Sequence, residues 1–238
     1  MRILVPSYGR DDCATTMDLM PSAEIVVPES QKAAYEINYP GRVISIPDDQ
    51  DGTVSKKRNA VIWLMGEGEL AWMIDDDFVS MKHINSGKYV EDEDIEPVLF
   101  NHWVVMEELG ACFGGFSISD DYVRSLEYQP FSITKCSYAA LCIRNIGVMA
   151  DENLGRYEDV DLFIALMNKG RIGWRDNRYY VHHLCNKDKR KKTQKGGIEG
   201  GDAAYMGDTD YMLRKWGADI VRVKKRAVIG ATLPIKGV

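Results

Sequence analysis

The first third of the chain alternates short apolar runs with stretches of helix-forming residues. The apolar runs, rich in Val, Ile and Leu, are RILVP (2–6), EIVVP (24–28), RVISIP (42–47) and LAWMI (70–74). The stretches between them, which we predict as helices, are 13–20, 29–39 and 53–68. Successive parallel strands need a crossover connection, usually a helix, so this alternation predicts an open, mainly parallel sheet. The fold class is therefore α/β and Rossmann-like, with helices on both faces of the sheet.

The rest of the chain predicts a mixed arrangement. Apolar residues at helical spacing predict helices at 92–109, 158–170 and 202–216. Strand-like runs, which extend the sheet or form a mixed edge, lie at 111–118, 137–144, 173–185 and 219–230. Residues 186–202 are rich in Lys and Gly with almost no apolar content, which predicts a long, flexible basic loop.

Composition and cysteine usage exclude several classes of protein. With 238 residues, 45% of them hydrophobic and 28% charged, the chain can form one globular domain with its own core. No apolar run approaches the roughly 18 residues that a membrane-spanning helix needs. Five Cys without a C-x-x-C pair fit neither a disulfide framework nor a zinc ribbon. We therefore expect a full-length cytoplasmic protein with no membrane partner.

The charge of the chain is unevenly distributed. A formal net charge of −6 argues against a generally basic nucleic-acid coat protein. Positive charge is concentrated in two strips, KDKRKKTQK (187–195) and RVKKR (222–226). An acidic chain with local basic strips is compatible with one anionic partner that is held at one place.

Three consecutive carboxylates, Asp75, Asp76 and Asp77, follow the strand predicted at 70–74. In an open α/β sheet, ligands bind at the carboxyl ends of the strands, where these residues lie. Strand alternation puts Asp75 and Asp77 on one side and Asp76 on the other, so the first and third can share a divalent cation. The alternative interpretation is a solvated acidic turn that begins the next segment.

A second acidic group lies in RYEDVDL (156–162), at the start of a predicted helix. The helix dipole alone favours Glu158, Asp159 and Asp161 in that first turn. Near a metal-bound diphosphate, however, a carboxylate at a helix start can act as the general base for an acceptor hydroxyl, or orient that acceptor. Together with Asp75, Asp76 and Asp77, these acidic residues can therefore be interpreted as part of an active site.

Five motifs occur in an order and spacing that resemble a known enzyme family. They are ILVPSYGR, IVVPESQKAAYE, KKRNAVIWL, WMIDDDF and GRYEDVDLFIALMNKG, followed by His182 and His183 after a strand. This set resembles the GT-A-type glycosyltransferases, and in particular the TET-associated glycosyltransferases of bacteriophages, which are related to the base J glucosyltransferase. The resemblance implies a GT-A-like fold and the transfer of a sugar from a nucleotide-sugar, most simply a UDP-sugar. The implied acceptor is a hydroxymethylated pyrimidine in phage DNA, for example 5-hydroxymethylcytosine.

The resemblance also implies a domain organisation. It covers residues 1–185 as one catalytic domain, with a donor half at about 1–80 and an acceptor half at about 81–185. Beyond the resemblance, composition and pattern predict that 186–202 is the flexible loop and that 203–238 forms a C-terminal helix and strand packed on the same domain.

Individual residues take implied roles from the same resemblance. The donor would be surrounded by Pro6, Ser7, Tyr8, Arg10, Glu29, Lys57, Arg58, Asn59, Asp75 and Asp76. Mn²⁺ or Mg²⁺ would be bound by Asp75, Asp77 and either His182 or His183. Asp159 would act as base or position the acceptor, with Glu158 beside it. DNA phosphate or the departing diphosphate would meet Lys189, Arg190, Lys191, Lys192 and Lys195.

Other interpretations stay open. MIDDDFV also satisfies the motif of haloacid dehalogenase-type phosphatases, with Asp75 as nucleophile and Asp77 as acid, but three predicted strands precede it where that motif normally ends the first. A nucleotidyltransferase usually needs a Gly-rich loop after its first strand, and PSYGRDD has one Gly. A binding module without catalysis, and a glycosyltransferase with a glycan or protein acceptor, are further alternatives. The sugar, the stereochemistry and the oligomeric state do not follow from the sequence.

Overall fold

The computed structural model of the chain describes residues 1–117, 129–138, 140–184, 202–224 and 228–231. The strands are β1 (Arg2–Pro6), β2 (Glu24–Pro28), β3 (Val43–Ile46), β4 (Leu70–Ile74), β5 (Phe78–His83), β6 (Phe113–Ser117), β7 (Phe131–Ser132), β8 (Ala140–Arg144), β9 (Gly173–His183), β10 (Val221–Lys224) and β11 (Val228–Ala231). The helices are α1 (Thr15–Leu19), α2 (Lys32–Asn38), α3 (Val54–Trp63), α4 (Asp92–Leu109), α5 (Glu158–Gly170) and α6 (Asp202–Trp216), with 3₁₀ turns at Glu29–Gln31 and Asp48–Gln50.

One open sheet organises the fold, with the strand order β3-β2-β1-β4-β8-β6-β9-β5. The first four strands are parallel to one another. β8 then runs antiparallel between β4 and β6, while β9 pairs in parallel with β6 and antiparallel with β5. The short β7 pairs with β9, and β10 and β11 form a separate antiparallel pair. The predicted α/β fold, parallel in its first half and mixed in its second, is confirmed.

Helices cover both faces of the sheet, because successive residues of the strands point into two different cores. On one face, α1, α2 and α4 pack with Ile3 and Trp72. On the other face, α3, α5 and α6 pack with Leu4 and Met73. β4 is consequently buried along its whole length. Within the described residues, no helix is both long and apolar enough to cross a membrane.

The longest periodic segments fold where the sequence predicts them, since β4, α4 and α5 have the predicted bounds. Two predictions were wrong in detail, and one strand was missed. The helix predicted at 53–68 ends at Trp63, because Gly66 follows and Gly68 has a φ of +76°. Residues 78–83 form β5, which no sequence pattern indicated. The single strand predicted at 219–230 is the antiparallel pair β10 and β11.

The buried carboxylate of Asp161 connects α6 to α5. Lys215 Nζ lies 2.8 Å from Asp161 Oδ1, and Trp216 Nε1 donates to the same oxygen at 2.7 Å. Lys215 Nζ also lies 2.7 Å from Asp151 Oδ2, to which the Tyr211 hydroxyl donates at 2.7 Å. Asp161 therefore has a structural role at this helix contact.

Gly114 in β6 permits the close approach of α4 to the sheet. A Cβ at this position would lie 2.7 Å from both His102 Nε2 and the Trp174 carbonyl oxygen, closer than real side chains come. We expect Gly114→Ala to lower the free energy of unfolding by about 1–3 kcal/mol, as overpacking does. Gly207 in α6 is the control, because nothing lies within 4 Å of a Cβ there.

Gly207→Ala should raise the free energy of unfolding by about 0.5–1 kcal/mol through helix propensity. Urea denaturation measures both variants. A Gly114→Ala protein as stable as the wild type would contradict the packing of α4 on β6.

Candidate active site

The three consecutive carboxylates lie at the carboxyl edge of the sheet, where β4 ends beside β1. Asp76 is buried, with 6% of its surface exposed, whereas Asp75 and Asp77 are half-buried. Helix α1 fixes this segment, because Thr16 Oγ1 donates to the Asp75 carbonyl oxygen at 2.6 Å and accepts from Phe78 N at 3.0 Å. The sequence analysis missed Thr16, which no motif marks.

Asp76 holds the loop that follows β1. Ser7 Oγ donates to Asp76 Oδ2 at 2.5 Å, and the Arg10 guanidinium forms an ion pair with Asp76 Oδ1. Tyr35 completes the set, since its hydroxyl lies 2.8 Å from Ser7 Oγ and accepts from Arg10 N at 2.8 Å. Burial raises the pKa of Asp76, and Arg10 and Ser7 oppose that rise. Three residues predicted to surround the donor therefore bond to one another.

Lys57 lies between this loop and an acidic residue that the sequence analysis did not single out. Its Nζ donates to the Ser7 carbonyl oxygen at 2.8 Å and lies 2.8 Å from Asp51 Oδ2. Burial lowers the pKa of Lys57, and Asp51 opposes that effect. The Lys57 Nζ also lies 5.7 Å from the centroid of the Tyr8 ring, which is 58% exposed. An exposed aromatic ring is thereby held over a fixed positive charge.

Pro6 and Glu29 mark the edges of the same region. Pro6 is the last residue of β1 and is half-buried. Glu29 begins the 3₁₀ turn after β2 and is exposed. Both therefore lie at the carboxyl edge, as their positions after parallel strands predict.

Arg58 is a buried cation among carboxylates from two parts of the chain. Its Nη2 lies 3.4 Å from Glu158 Oε1 of α5, and 4% of its surface is exposed. Burial lowers the pKa of the guanidinium, but the charges of Glu158, Asp75 and Asp159 outweigh it and the net shift is upward. Arg58 Nη1 has no hydrogen-bond partner within the described residues. Arg58 thus connects the carboxylates after β4 with those at the start of α5.

Asn59 anchors the segment that leads to α5. Its Oδ1 accepts from Ala150 N at 2.7 Å, and its Nδ2 donates to the Ala150 carbonyl oxygen and to Glu152 Oε1, both at 3.0 Å. The sequence analysis predicted that Asn59 contacts the donor. In the structure its side-chain amide hydrogen-bonds to Ala150 and Glu152.

Asp159 is a carboxyl group in an environment that favours its neutral form. Burial and the neighbouring Glu158 carboxylate raise the pKa of Asp159 to about 7, and Arg58 opposes them. The Cys136 thiol, which the sequence analysis did not single out, lies close enough to Asp159 for the two groups to interact electrostatically. Burial raises its pKa well above the usual range, and Asp159 adds to that rise. A carboxyl group with a pKa near neutrality is suited to general-base chemistry.

The two adjacent histidines of β9 have different surroundings. His183 Nδ1 lies 3.1 Å from Asp77 Oδ1, while His183 Nε2 is buried and has no partner within the described residues. His182 is exposed, and its ring stacks on Tyr180 with the centroids 6.5 Å apart. Strand alternation thus directs His183 to the acidic residues and His182 away from them.

Asp77 and His183 are suited to bind a divalent cation. His183 Nδ1 and Asp77 Oδ1 lie 3.1 Å apart, a separation that two ligands of one cation can have. Across the described ranges, no three Asp, Glu, His or Cys side chains converge on a metal position. Two protein ligands are nevertheless enough where substrate phosphates complete the coordination shell, as is usual for Mg²⁺.

Lys189, Arg190, Lys191, Lys192 and Lys195 lie outside the described residues.

Comparison with known proteins provides independent information on fold and family. Residues 1–197 match the profile of the TET-associated glycosyltransferase family. Over 82 residues the chain is 34% identical to the beta-glucosyl-HMC-alpha-glucosyl-transferases of Enterobacteria phages T2 and T6, a match that covers 32% of this chain and 29% of each phage enzyme. The matched part thus spans less than a third of the phage enzymes' length.

A solved structure of S. aureus TarS 1–349 in complex with UDP-GlcNAc resembles this one in fold. The TM-score is 0.51 at 14% sequence identity, and the match covers 90% of this chain and 67% of TarS 1–349. The predicted GT-A-like fold is therefore confirmed. The profile match extends over most of the chain and agrees with the predicted family, so the chain belongs to the TET-associated glycosyltransferase family.

Proposed function

We propose that this protein transfers a sugar from a nucleotide-sugar donor to the hydroxymethyl group of a modified pyrimidine in DNA. The observation that carries the proposal is the convergence of two acidic groups around Arg58. Asp75 follows β4, Glu158 and Asp159 begin α5, and the charges of all three act on the buried guanidinium, whose Nη2 lies 3.4 Å from Glu158 Oε1. Family membership favours this interpretation over the phosphatase, nucleotidyltransferase and binding-module alternatives.

The donor half of the proposed site is formed by the loop after β1 and the start of α3. The exposed ring of Tyr8 offers a surface on which the nucleobase stacks, and Lys57 beneath it supplies positive charge near the diphosphate. Both are fixed before the donor arrives, because Asp76 holds the loop and Asp51 holds the ammonium group. A fixed site loses less conformational entropy on binding than a mobile one.

A divalent cation, Mn²⁺ or Mg²⁺, fits the proposed site beside Asp75, Asp77 and His183. When bound, such a cation neutralises charge on the donor diphosphate and on the departing nucleotide. Asp75, Asp77 and His183 would hold it, with the cation shared between His183 Nδ1 and the Asp77 carboxylate. The contact of His183 Nδ1 with Asp77 Oδ1 at 3.1 Å is the observation that supports its role over that of the exposed His182.

Asp159 is the proposed base or acceptor-positioning group, with Glu158 fixed beside it by Arg58. With a pKa of about 7, Asp159 can accept a proton from the acceptor hydroxyl near neutral pH. In an inverting reaction the carboxylate takes that proton as the hydroxyl oxygen attacks the sugar. In a retaining reaction it orients the acceptor.

DNA is the proposed acceptor for two reasons. The two similar phage enzymes carry HMC in their names, and the family is named for its association with TET. The basic strip at 187–195 supplies charge suited to DNA phosphate. A glycan or protein acceptor remains the alternative that experiment must separate from DNA.

The test of the proposal is nucleotide release from a panel of UDP-sugars in the presence of Mn²⁺. The reaction is run without DNA, with unmodified DNA, and with DNA that contains 5-hydroxymethylcytosine or 5-hydroxymethyluracil. We expect release to rise only with one of the modified DNAs, together with a matching mass increase of that DNA. Release that is indifferent to DNA would point to another acceptor, and silence with every donor would refute a UDP-sugar donor.

Asp77→Asn and His183→Ala test the cation site. We expect each to weaken Mn²⁺-dependent binding of the UDP-sugar by at least about 10-fold, since each removes a proposed ligand. His182→Ala is the matched control, because the neighbouring imidazole lies on the other side of β9. Calorimetric titration with and without Mn²⁺ measures the effect. Equal losses in the two histidine variants would disprove the assignment of His183.

Asp159→Asn tests the environment of the proposed base. The pKa of Asp159 rises on folding from its ordinary value of 3.8 to about 7. This group therefore contributes stability that is complete below pH 4 and is lost as the pH rises through about 7. The variant lacks this ionisation, so its stability relative to wild type should increase by about 1–4 kcal/mol between pH 4 and pH 8.

Urea denaturation across that pH range measures the difference. Asp210→Asn, which changes an exposed carboxylate on α6, serves as the control and should follow the wild type. Parallel curves for Asp159→Asn and wild type would show that Asp159 titrates normally.

A further inference from the structure

A cavity of about 180 Å³ lies beside α3, on a side of the helix that the proposed chemistry does not use. We call it the α3 cavity. Successive helical residues project about 100° apart, so residues at positions i, i+3, i+4 and i+7 share one stripe of a helix. Such a stripe of α3 lines the cavity with Lys56, Asn59, Ala60 and Trp63. The side chains of Lys57 and Arg58 project from other sides of the helix, so the cavity is separate from the donor loop and from the acidic residues.

The 3₁₀ turn after β3 contributes Asp49 and Gln50 to the lining of the cavity. Hydrogen bonds fix this turn, because Ser30 N and Ser30 Oγ donate to Asp48 Oδ1 at 3.0 Å and 2.8 Å. The Gln50 backbone N–H also donates to the Pro47 carbonyl oxygen at 3.0 Å. Asp49 and Gln50 are exposed, and their side chains have no bonding partner within the described residues. The turn therefore holds two available polar side chains beside α3.

Glu152 lines the cavity from the segment that precedes α5. Asn59, with 7% of its surface exposed, donates from Nδ2 to Glu152 Oε1 at 3.0 Å. Ser55 Oγ donates to the Leu154 carbonyl oxygen at 3.1 Å, which fixes the same segment to α3. The three segments that bound the cavity are thus held in place before a ligand binds, so binding requires little further ordering of the protein.

Trp63 is the exposed aromatic side chain of the cavity, with 75% of its surface exposed. In the part of the chain that the structure describes, neither its ring nor its Nε1 has a partner. The other four tryptophans each have one, either a hydrogen bond from Nε1 or a stacked ring: Trp72, Trp103, Trp174 and Trp216. An uncovered indole beside a cavity offers a large apolar surface to a ligand.

The polar groups of the cavity favour a neutral ligand that is rich in hydroxyl groups. Lys56 and Gln50 bring donors, whereas Asp49 and Glu152 bring carboxylate acceptors. Because both signs of charge are present, a simple anion or cation would be repelled by one of them. Sugar hydroxyls both donate and accept, and the C–H face of a pyranose ring lies flat on an indole. The volume is below the roughly 300–1,000 Å³ of drug-sized sites, so it suits one ring rather than a nucleotide.

We propose that the α3 cavity binds one pyranose ring, stacked on Trp63 and hydrogen-bonded to Asp49, Gln50, Lys56 and Glu152. The ring belongs either to a free sugar or to a sugar attached to DNA, since the same groups recognise both. This site is separate from the proposed donor site, so binding needs neither a nucleotide nor a divalent cation. The inference goes beyond the proposed function and can be measured without catalysis.

The test is ligand-observed NMR of the full chain with methyl glycosides of glucose, galactose, mannose and N-acetylglucosamine, without nucleotide or metal. We expect at least one glycoside to bind, and Trp63→Ala to weaken that binding by about 10-fold, as loss of a stacked aromatic ring does. Tyr89→Ala removes another exposed ring, which lies outside the cavity, and should leave binding unchanged. No binding of any glycoside, or equal effects of the two variants, would overturn the proposal.

A second set of variants separates loss of the site from misfolding. Asp49→Ala removes an exposed carboxylate of the cavity, and Asp210→Ala removes an exposed carboxylate of α6. Both should keep the wild-type thermal unfolding temperature, and only Asp49→Ala should weaken glycoside binding, by about 3-fold or more. Trp63→Phe keeps a ring and should bind more tightly than Trp63→Ala. Wild-type binding by Asp49→Ala, together with no rescue by Trp63→Phe, would overturn the proposal.

Two DNA probes identify the source of the sugar. Fluorescence anisotropy compares an oligonucleotide that contains glucosylated 5-hydroxymethylcytosine with the same oligonucleotide before glucosylation. A preference for the glucosylated DNA that Trp63→Ala abolishes would support the site and assign the sugar to DNA. Equal affinities, with glycoside binding that still depends on Trp63, would support the site and assign the ligand to free sugar. Failure of the proposed function stays distinguishable, because absence of glycosyl transfer from every donor leaves these binding results unchanged.

Discussion

The buried guanidinium of Arg58 is the interaction on which the rest of the site depends. Three carboxylates, Asp75, Glu158 and Asp159, act on it from two parts of the chain that are more than 80 residues apart. Carboxylates brought so close in a low-dielectric interior repel one another unless a cation compensates them. Arg58 supplies part of that compensation within the protein, because it opposes the upward pKa shifts of Asp75 and Asp159.

Three consecutive residues of helix α3 bond to three different segments of the chain. Lys57 bonds to the loop after β1, Arg58 to the start of α5, and Asn59 to the segment before α5 at Ala150. Successive helical residues project about 100° apart, so three neighbours reach three different segments. The motif KKRN in this sequence therefore has a structural explanation beside its implied role at the donor. A single turn of helix therefore connects the loop after β1 with the acidic start of α5.

Sequence patterns predicted the fold wherever the periodicity was long and uninterrupted. The helices α4 and α5 are such segments, and their bounds were predicted correctly. The bounds of β4, a short run of five buried residues, were also predicted correctly. β5 was missed because it follows Asp77 without a turn signal, and because its partner β9 lies about 100 residues further along the chain. The contact between Asp51 and Lys57 was missed for a similar reason, since no pattern shows which of several acidic residues meets a given lysine. Local periodicity reports which residues are buried, whereas pairing depends on tertiary structure.

The adjacent residues His182 and His183 show how strand register decides what sequence alone leaves open, namely which side chain faces the acidic residues. Alternation requires that His182 and His183 point to opposite sides of β9, but it does not say which one faces the acidic residues. The antiparallel register with β5 decides this, because it puts His183 opposite the buried Phe78 and beside Asp77, and His182 opposite Ser80. A slip of one residue would exchange the positions of the two imidazoles. The bulge between Phe78 and Ser80 therefore matters, since it sets the register of β5 against β9 at the point where the strands leave the site.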